Sequence, residues 1–193
     1  LMVDCNQAWR MQWDLRPYRN FGEALQIVRA LHALDVYWIE EPLFRGDYDG
    51  LKRLRDTNLV RIAGGELTRE CHEAAFMVDH GCFDVLQTDA ALAGGISGLI
   101  PLAHQCARRG MFFTPHTWGN GLMIAAGIQL TCGTVGAPYI EFPYDPPNFP
   151  LEARDFLLTE PIRVDADGMI NLSDKPGLGV DLDEDRLRAT RLS

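Results

Sequence analysis

Clustered positive charge is what this chain most lacks. Its 193 residues carry 18 Lys and Arg against 27 Asp and Glu, a formal net charge of −9. The basic residues stand singly or as the pair Arg108-Arg109. Nucleic-acid binding draws its affinity from grouped Lys and Arg, so a nucleic-acid partner is not expected. No Cys-x-x-Cys pair occurs, and Cys5, Cys71, Cys82, Cys106 and Cys132 form an odd set. Neither a disulfide framework nor a zinc site is expected; the cysteines read as small buried hydrophobes in a reducing cytoplasm. Long apolar runs are missing too. The longest, Gly121 to Leu130, is interrupted by Gln129 and falls well short of the roughly 18 apolar residues a membrane helix needs. No cleavable secretory signal is visible in the opening residues. The glycine-rich stretch Ala93-Gly94-Gly95-Ile96-Ser97-Gly98 lacks the spacing of a phosphate-binding loop and reads as a tight strand-to-helix turn.

The chain does have an ordinary globular composition, 47% hydrophobic with a mean hydropathy of −0.11, which excludes disordered and fibrous classes. From Asn20 to Leu34 the apolar residues recur at helical spacing, and Asn20 with Glu23 predicts an N-terminal capping box. A strand at Val36–Ile39 follows. The alternation continues with a helix at 47–56, a strand at 59–63, a helix at 69–79 closed by Gly81, and a strand at 83–87. A helix near 96–109 closed by Gly110, a strand at 111–114, a helix at 121–132 and a strand at 139–140 complete it. Pro101 is expected only in the first turn of its helix. Strands apolar on both faces, alternating with helices, predict a parallel sheet sheathed by helices.

Three carboxylates close three successive strands: Asp4 after Leu1-Met2-Val3, Glu40 after Trp38-Ile39, and Glu66 after Ile62-Ala63-Gly64-Gly65. Asp89, His116 and Glu141 close the next three apolar runs. These six positions follow one another at intervals of 36, 26, 23, 27 and 25 residues. Near-constant spacing of this kind favours a (β/α)8 barrel, whose active residues line the C-terminal rim of the strands. Six strands are counted, leaving two unaccounted for. Oxygen-only donors suit Mg²⁺ or Mn²⁺ and leave coordination positions open for a substrate carboxylate. Glu40 and Glu41 compete for one role, because adjacent strand residues point to opposite faces. Alternation alone does not choose between them.

His116 sits in Thr114-Pro115-His116-Thr117-Trp118-Gly119-Asn120, a loop directly after a strand. Asp89 on the preceding strand is its expected partner, orienting the imidazole and raising its basicity. His32, His72, His80 and His104 fall on predicted helices or their ends and read as solvated or packed. After Asp145 the character changes. Asp145-Pro146-Pro147-Asn148-Phe149-Pro150 cannot continue a helix or a central strand. Pro161 to Ile170 reads as a hairpin turning at Asp167-Gly168, and Pro176 to Leu182 as extended chain. The expected organisation is a partial catalytic barrel over 1–144 and a C-terminal extension over 145–193.

Taken in order, Val3-Asp4-Cys5-Asn6-Gln7, Trp38-Ile39-Glu40-Glu41-Pro42, Gly64-Gly65-Glu66, Gln87-Thr88-Asp89, Gly94-Gly95-Ile96, Pro115-His116, Glu141 and Pro176-Gly177-Leu178-Gly179 resemble the enolase superfamily, mandelate racemase subgroup. The resemblance runs from residue 1 to about Leu187. It implies a (β/α)7β barrel, here incomplete, with about strands 3 to 8, and a tail that packs on a capping domain. It also implies that Asp4, Glu40 and Glu66 bind Mg²⁺, which selects Glu40 over Glu41. His116 becomes the base paired with Asp89, and Glu141 an acid or hydrogen-bond donor to the enolate oxygen. Asn6 and Trp118 are the candidate substrate contacts; Trp118 and Asn120, beside the base, either shape the pocket or only pack the loop. The implied reaction removes the proton α to a carboxylate, with dehydration of an acid sugar as the leading outcome. The racemase, epimerase or lactone cycloisomerase outcome is the rival on the same scaffold. Family members carry a Lys-x-Lys base on the second barrel strand and an N-terminal capping domain. Neither is in these residues, so a piece of a longer protein is expected, inactive alone and a homo-oligomer when whole. A metal-free barrel glycosidase and a truncated barrel acting only through association are the readings from other classes.

Overall fold

The computed structural model describes residues 1–10, 12–135, 139–171 and 173–191. Its first ten elements alternate: β1 (Met2–Asp4), α1 (Phe21–His32), β2 (Trp38–Glu40), α2 (Tyr48–Arg55), β3 (Arg61–Gly64), α3 (Cys71–His80), β4 (Val85–Leu86), α4 (Gly95–Arg108), β5 (Phe112–Phe113) and α5 (Gly121–Cys132). Two short helices follow, α6 (Leu151–Arg154) and α7 (Glu184–Ala189). The strands form one sheet in the order β1-β2-β3-β4-β5, every neighbour parallel. Consecutive strands lying side by side, each joined by a helix, is the winding of a barrel wall rather than of a doubly wound sheet.

Local chemistry accounts for the elements. Asn20 and Glu23 form the expected capping box at α1, with Asn20 Oδ1 accepting from the Glu23 N–H at 3.1 Å and Glu23 Oε2 from the Asn20 N–H at 2.9 Å. Ala24 and Val28 turn one face of α1 inward. The helix stops at His32, leaving Leu34 exposed. Gly81, with φ +80°, closes α3 as a left-handed cap.

The side-chain period of two divides the strands between two cores. Ile39, Ile62, Leu86 and Phe113 face the helices and join the main apolar cluster with Leu43, Leu51, Leu54, Met77 and Leu99. Trp38, Ala63 and Val85 face the other way and form a smaller cluster with Tyr37 and Phe112. The same alternation sends Glu40, two residues beyond Trp38, to the inner face.

Several expectations need correction. The sheet has five strands, not six: Tyr139 and Ile140 are not in the ladder among the described residues. Tyr139 instead packs edge-on against Tyr37 and Trp38. Only three described residues of the segment, Tyr139 to Glu141, precede Phe142-Pro143, and Pro143 has no N–H to donate to a ladder. Residues 136–138 lie outside the described residues. Pro101 lies in the second turn of α4, not the first. It is exposed, so the bond it cannot donate is lost on the helix's solvent side. The hairpin over Pro161–Ile170 is a turn without flanking strands among the described residues. Asp165 closes it, its N–H donating to the Met169 carbonyl at 2.9 Å and its carboxylate accepting from the N–H groups of Asp167 and Met169. Of the cysteines, Cys82 and Cys106 are buried, but Cys5 and Cys71 are half-buried and Cys132 is exposed.

Candidate active site

Parallel pairing in register aligns the strand ends. Asp4 stands opposite Glu40, and Glu40 opposite Ala63, three residues before Glu66. Between Ala63 and Glu66 the chain turns at Gly65, whose φ of +106° suits glycine alone; a Cβ there would lie 3.0 Å from Leu86 Cδ1. The turn leaves Glu66 only 7% exposed. Asp89 follows β4 by three residues and His116 follows β5 by three, so all of these side chains gather at the C-terminal end of the sheet.

His116 is the hub. Its Nδ1 lies 2.5 Å from Asp89 Oδ1, while Nε2 lies 3.4 Å from Glu66 Oε2 and 4.0 Å from Glu141 Oε2. The second oxygen of Asp89 accepts the Leu67 N–H at 2.6 Å. Glu141 is held by Thr117: the Thr117 N–H donates to Glu141 Oε2 at 2.5 Å and Thr117 Oγ1 to the Glu141 carbonyl at 2.6 Å. Sequence reasoning missed Thr117, although it neighbours His116. It also missed Trp9, whose indole N–H donates to Glu66 Oε1 at 2.5 Å; no local pattern marks a loop tryptophan 57 residues away from its partner.

Two residues expected to touch substrate are placed differently from each other. Asn6 bonds to Asp4 through its backbone N–H at 2.9 Å and its amide at 2.6 Å, so it orients that carboxylate. Trp118 is 52% exposed beside His116, stacked on Phe149 at 6.0 Å between ring centroids.

Electrostatics follow from burying like charges together. Burial, then the charges of Asp4, Glu141 and Glu66, push Glu40 up to about 7, against a lowering contribution from the Gln87 side chain. Burial raises Asp4, Glu66 and Glu141 as well, with His116 pulling each of them down. For His116 itself burial works against the charged form, but the Asp89 hydrogen bond and the charges of Glu141, Glu66 and Asp89 outweigh it and raise it to about 9.

Glu41 is turned away from the inner face but abuts the cluster. It is 2% exposed, has φ +46°, and shares a small cavity with Leu43, Leu51, Met77 and Glu66. Burial and the charges of Glu66, Asp4 and Glu40 hold it at about 9, neutral at pH 7.

Among the described residues, no three His, Cys, Asp or Glu side chains converge closely enough to hold a metal ion in this arrangement. Asp4 is turned to Asn6, and Glu66 to Trp9 and His116. The donor chemistry nonetheless fits a hard divalent cation: Asp4, Glu40 and Glu66 are oxygen donors at neighbouring strand ends, and each raises the pKa of the Glu41 beside them by mutual repulsion. No helix of the described residues is long and apolar enough to cross a membrane.

Comparison with known proteins extends over nearly all of the chain. Residues 1–186 match the family described as Enolase C-terminal domain-like. A D-galactarolactone cycloisomerase from Agrobacterium fabrum is 27% identical over 196 residues, covering 100% of this chain and 49% of its own length. The crystal structure of the 3,6-anhydro-D-galactonate cycloisomerase from Zobellia galactanivorans superposes with a TM-score of 0.77 at 28% identity, over 97% of this chain and 49% of that one. An L-talarate/galactarate dehydratase mutant liganded with Mg and L-glucarate gives a TM-score of 0.80 at 27% identity, over 99% of this chain and 42% of its own. The chain thus spans about half the length of the proteins it resembles.

Proposed function

Because the chain belongs to the enolase C-terminal domain-like family, we propose that it forms part of an enzyme that removes the proton α to a carboxylate and dehydrates an acid sugar. The observation that carries this reading is the position of His116, fastened at Nδ1 by Asp89 with Nε2 facing the gap between Glu66 and Glu141. In this reading Asp4, Glu40 and Glu66 hold Mg²⁺, with Mn²⁺ as a substitute. When bound, the cation would draw charge from the substrate carboxylate and so stabilise the enediolate.

The chain's own residues do the rest. Asp89 keeps the proton of the neutral imidazole on Nδ1, leaving the Nε2 lone pair to accept the α proton. Glu141, whose pKa is raised by burial, donates a hydrogen bond to the developing oxyanion. His116, now protonated, returns its proton to the departing β-hydroxyl, which leaves as water. Trp118 flanks the base as a substrate contact, and Asn6 sets the angle of Asp4. Free cysteines suit a reducing cytoplasm.

Lactone cycloisomerisation is the second reading, supported by the cycloisomerase from Agrobacterium fabrum that matches this chain end to end. It uses the same base and metal and differs in the fate of the second proton. The deciding experiment screens the intact protein with Mg²⁺ against acid sugars and their lactones, beside His116→Ala. Turnover by wild type that is lost in the variant and in EDTA supports the reading. Activity that survives either one overturns it.

A further inference from the structure

Arg154, the last residue of α6, has its side chain wholly buried, as does its neighbour Asp155. The guanidinium donates to Asp155 twice, Nε to Oδ1 at 2.8 Å and Nη2 to Oδ2 at 2.6 Å. Its remaining donors reach the Pro143 carbonyl at 2.9 Å and the Ile162 carbonyl at 2.7 Å, and its carbon lies 4.3 Å from the centre of the Phe142 ring. Asp155 Oδ2 also accepts the Ile162 N–H at 2.7 Å. On the other side Asp155 Oδ1 lies 2.7 Å from the point where a Cβ on Gly121 would sit. Gly121 opens α5, directly after the loop that carries His116.

A buried ion pair is a poor device for stability alone, because well-packed apolar side chains of the same volume do as well or better. What the fork does that apolar groups cannot is gather fixed carbonyls from separate stretches of chain. One of those stretches begins at Glu141. Glu141 is not on a strand of the sheet among the described residues, so no ladder sets its backbone. Thr117 grips it from one side, and Arg154 grips Phe142 and Pro143, the next two residues, from the other. Asp155 completes the frame by abutting Gly121.

We propose that Arg154 and Asp155 are positioning residues for Glu141, which makes the segment after the barrel strands a working part of the active site. This rests on the reading of Glu141 as the acid beside His116.

The test compares the intact protein with Arg154→Lys, Asp155→Asn and, in parallel, Glu141→Gln. Lysine keeps the charge, but its three donors on a single nitrogen cannot replace the four bonds that the planar fork makes to Asp155, Pro143 and Ile162. In Arg154→Lys, kcat is expected to fall on the order of 10- to 100-fold, as for a catalytic group displaced by about an ångström, with KM little changed. Hydrogen exchange at the Thr117 amide, which donates to Glu141, is expected to quicken while that of β2 and β3 stays as in wild type. A folded Arg154→Lys with wild-type kcat and wild-type Thr117 protection overturns the proposal. If Arg154→Lys does not fold, Asp155→Asn carries the same two readouts with the same criteria. A Glu141→Gln protein as active as wild type sinks the acid assignment instead, and the Thr117 exchange still reports on the clamp, so the two failures are distinguishable.

Discussion

Asp89 holds His116 from a position with no solvent exposure, its Oδ1 2.5 Å from the imidazole Nδ1. Its other oxygen accepts the backbone N–H of Leu67 at 2.6 Å, and Leu67 directly follows Glu66. One carboxylate therefore ties the end of β4 to both the His116 loop and the Glu66 turn. The Asp89–His116 pair is part of the frame as well as of the proposed chemistry.

Replacing Asp89 with Asn is expected to lower kcat by about 10²- to 10⁴-fold, because the amide can no longer hold the proton on Nδ1. His116→Ala should fall at least as far. Steady-state kinetics on the intact protein measure both. Asp89→Asn should also melt at a lower temperature, since a buried partner of the Leu67 N–H is altered.

The metal-free protein should lose stability as pH rises. Glu40 is raised from 4.5 to about 7 and His116 from 6.5 to about 9, so in both cases the folded state favours the protonated form. The Glu40 contribution is fully present below 4.5 and lost as pH rises through 7; that of His116 is fully present below 6.5 and lost through 9. Each is worth a few kcal/mol, on the order of 3. Denaturant unfolding of the EDTA-treated protein from pH 5 upward measures this, and stability that climbs between neutrality and pH 9 would contradict it.

Adding Mg²⁺ should reverse part of that trend. A cation at Asp4, Glu40 and Glu66 offsets the Glu66 charge, one of those that now raise His116, so the imidazole should titrate at lower pH in its presence and be available as a base nearer neutrality. NMR titration of His116 with and without Mg²⁺ reads the shift directly. Calorimetry on Glu40→Gln should show weakened Mg²⁺ binding. Equal affinity in wild type and variant would remove Glu40 from the ligand set.

Gly127 on α5 packs so tightly that a Cβ would lie 2.4 Å from Thr117 Cγ2. Gly127→Ala should cost about 1–3 kcal/mol of stability through overpacking. Because Thr117 must give way and Thr117 holds Glu141, kcat should drop as well. A stability loss with full activity per folded molecule would show that the Thr117–Glu141 contact tolerates the shift.

Much of the fold and of the candidate site can be read from local pattern. The capping box at Asn20, the left-handed cap at Gly81 and the helical spacing of α1 through α5 are effects of near neighbours, so residue order determines them. The carboxylates at strand ends are legible for the same reason, since a parallel sheet in register brings positions of equal rank to one edge. Pairing Asp4 with Glu40, and Asp89 with His116, needed only the repeat length and the family resemblance. Trp9 against Glu66 and Arg154 beneath Pro143 and Ile162 were not legible, because each joins groups whose proximity depends on loops with no periodicity; Asn6 is only two residues from Asp4, and its role as a brace is set by its left-handed backbone, φ +48°. The sixth strand failed on related grounds: Tyr139-Ile140 has the composition of a strand, but pairing is decided by where the neighbouring backbone lies. By itself the order of residues determined which side chains reach the rim, because strand period and βα repeat act over short range. Which carboxylates face the Nε2 side of His116, which is buried away from the inner face as Glu41 is, and what holds Glu141 in place were decided only by tertiary packing, where burial and like-charge repulsion act between residues distant in the chain.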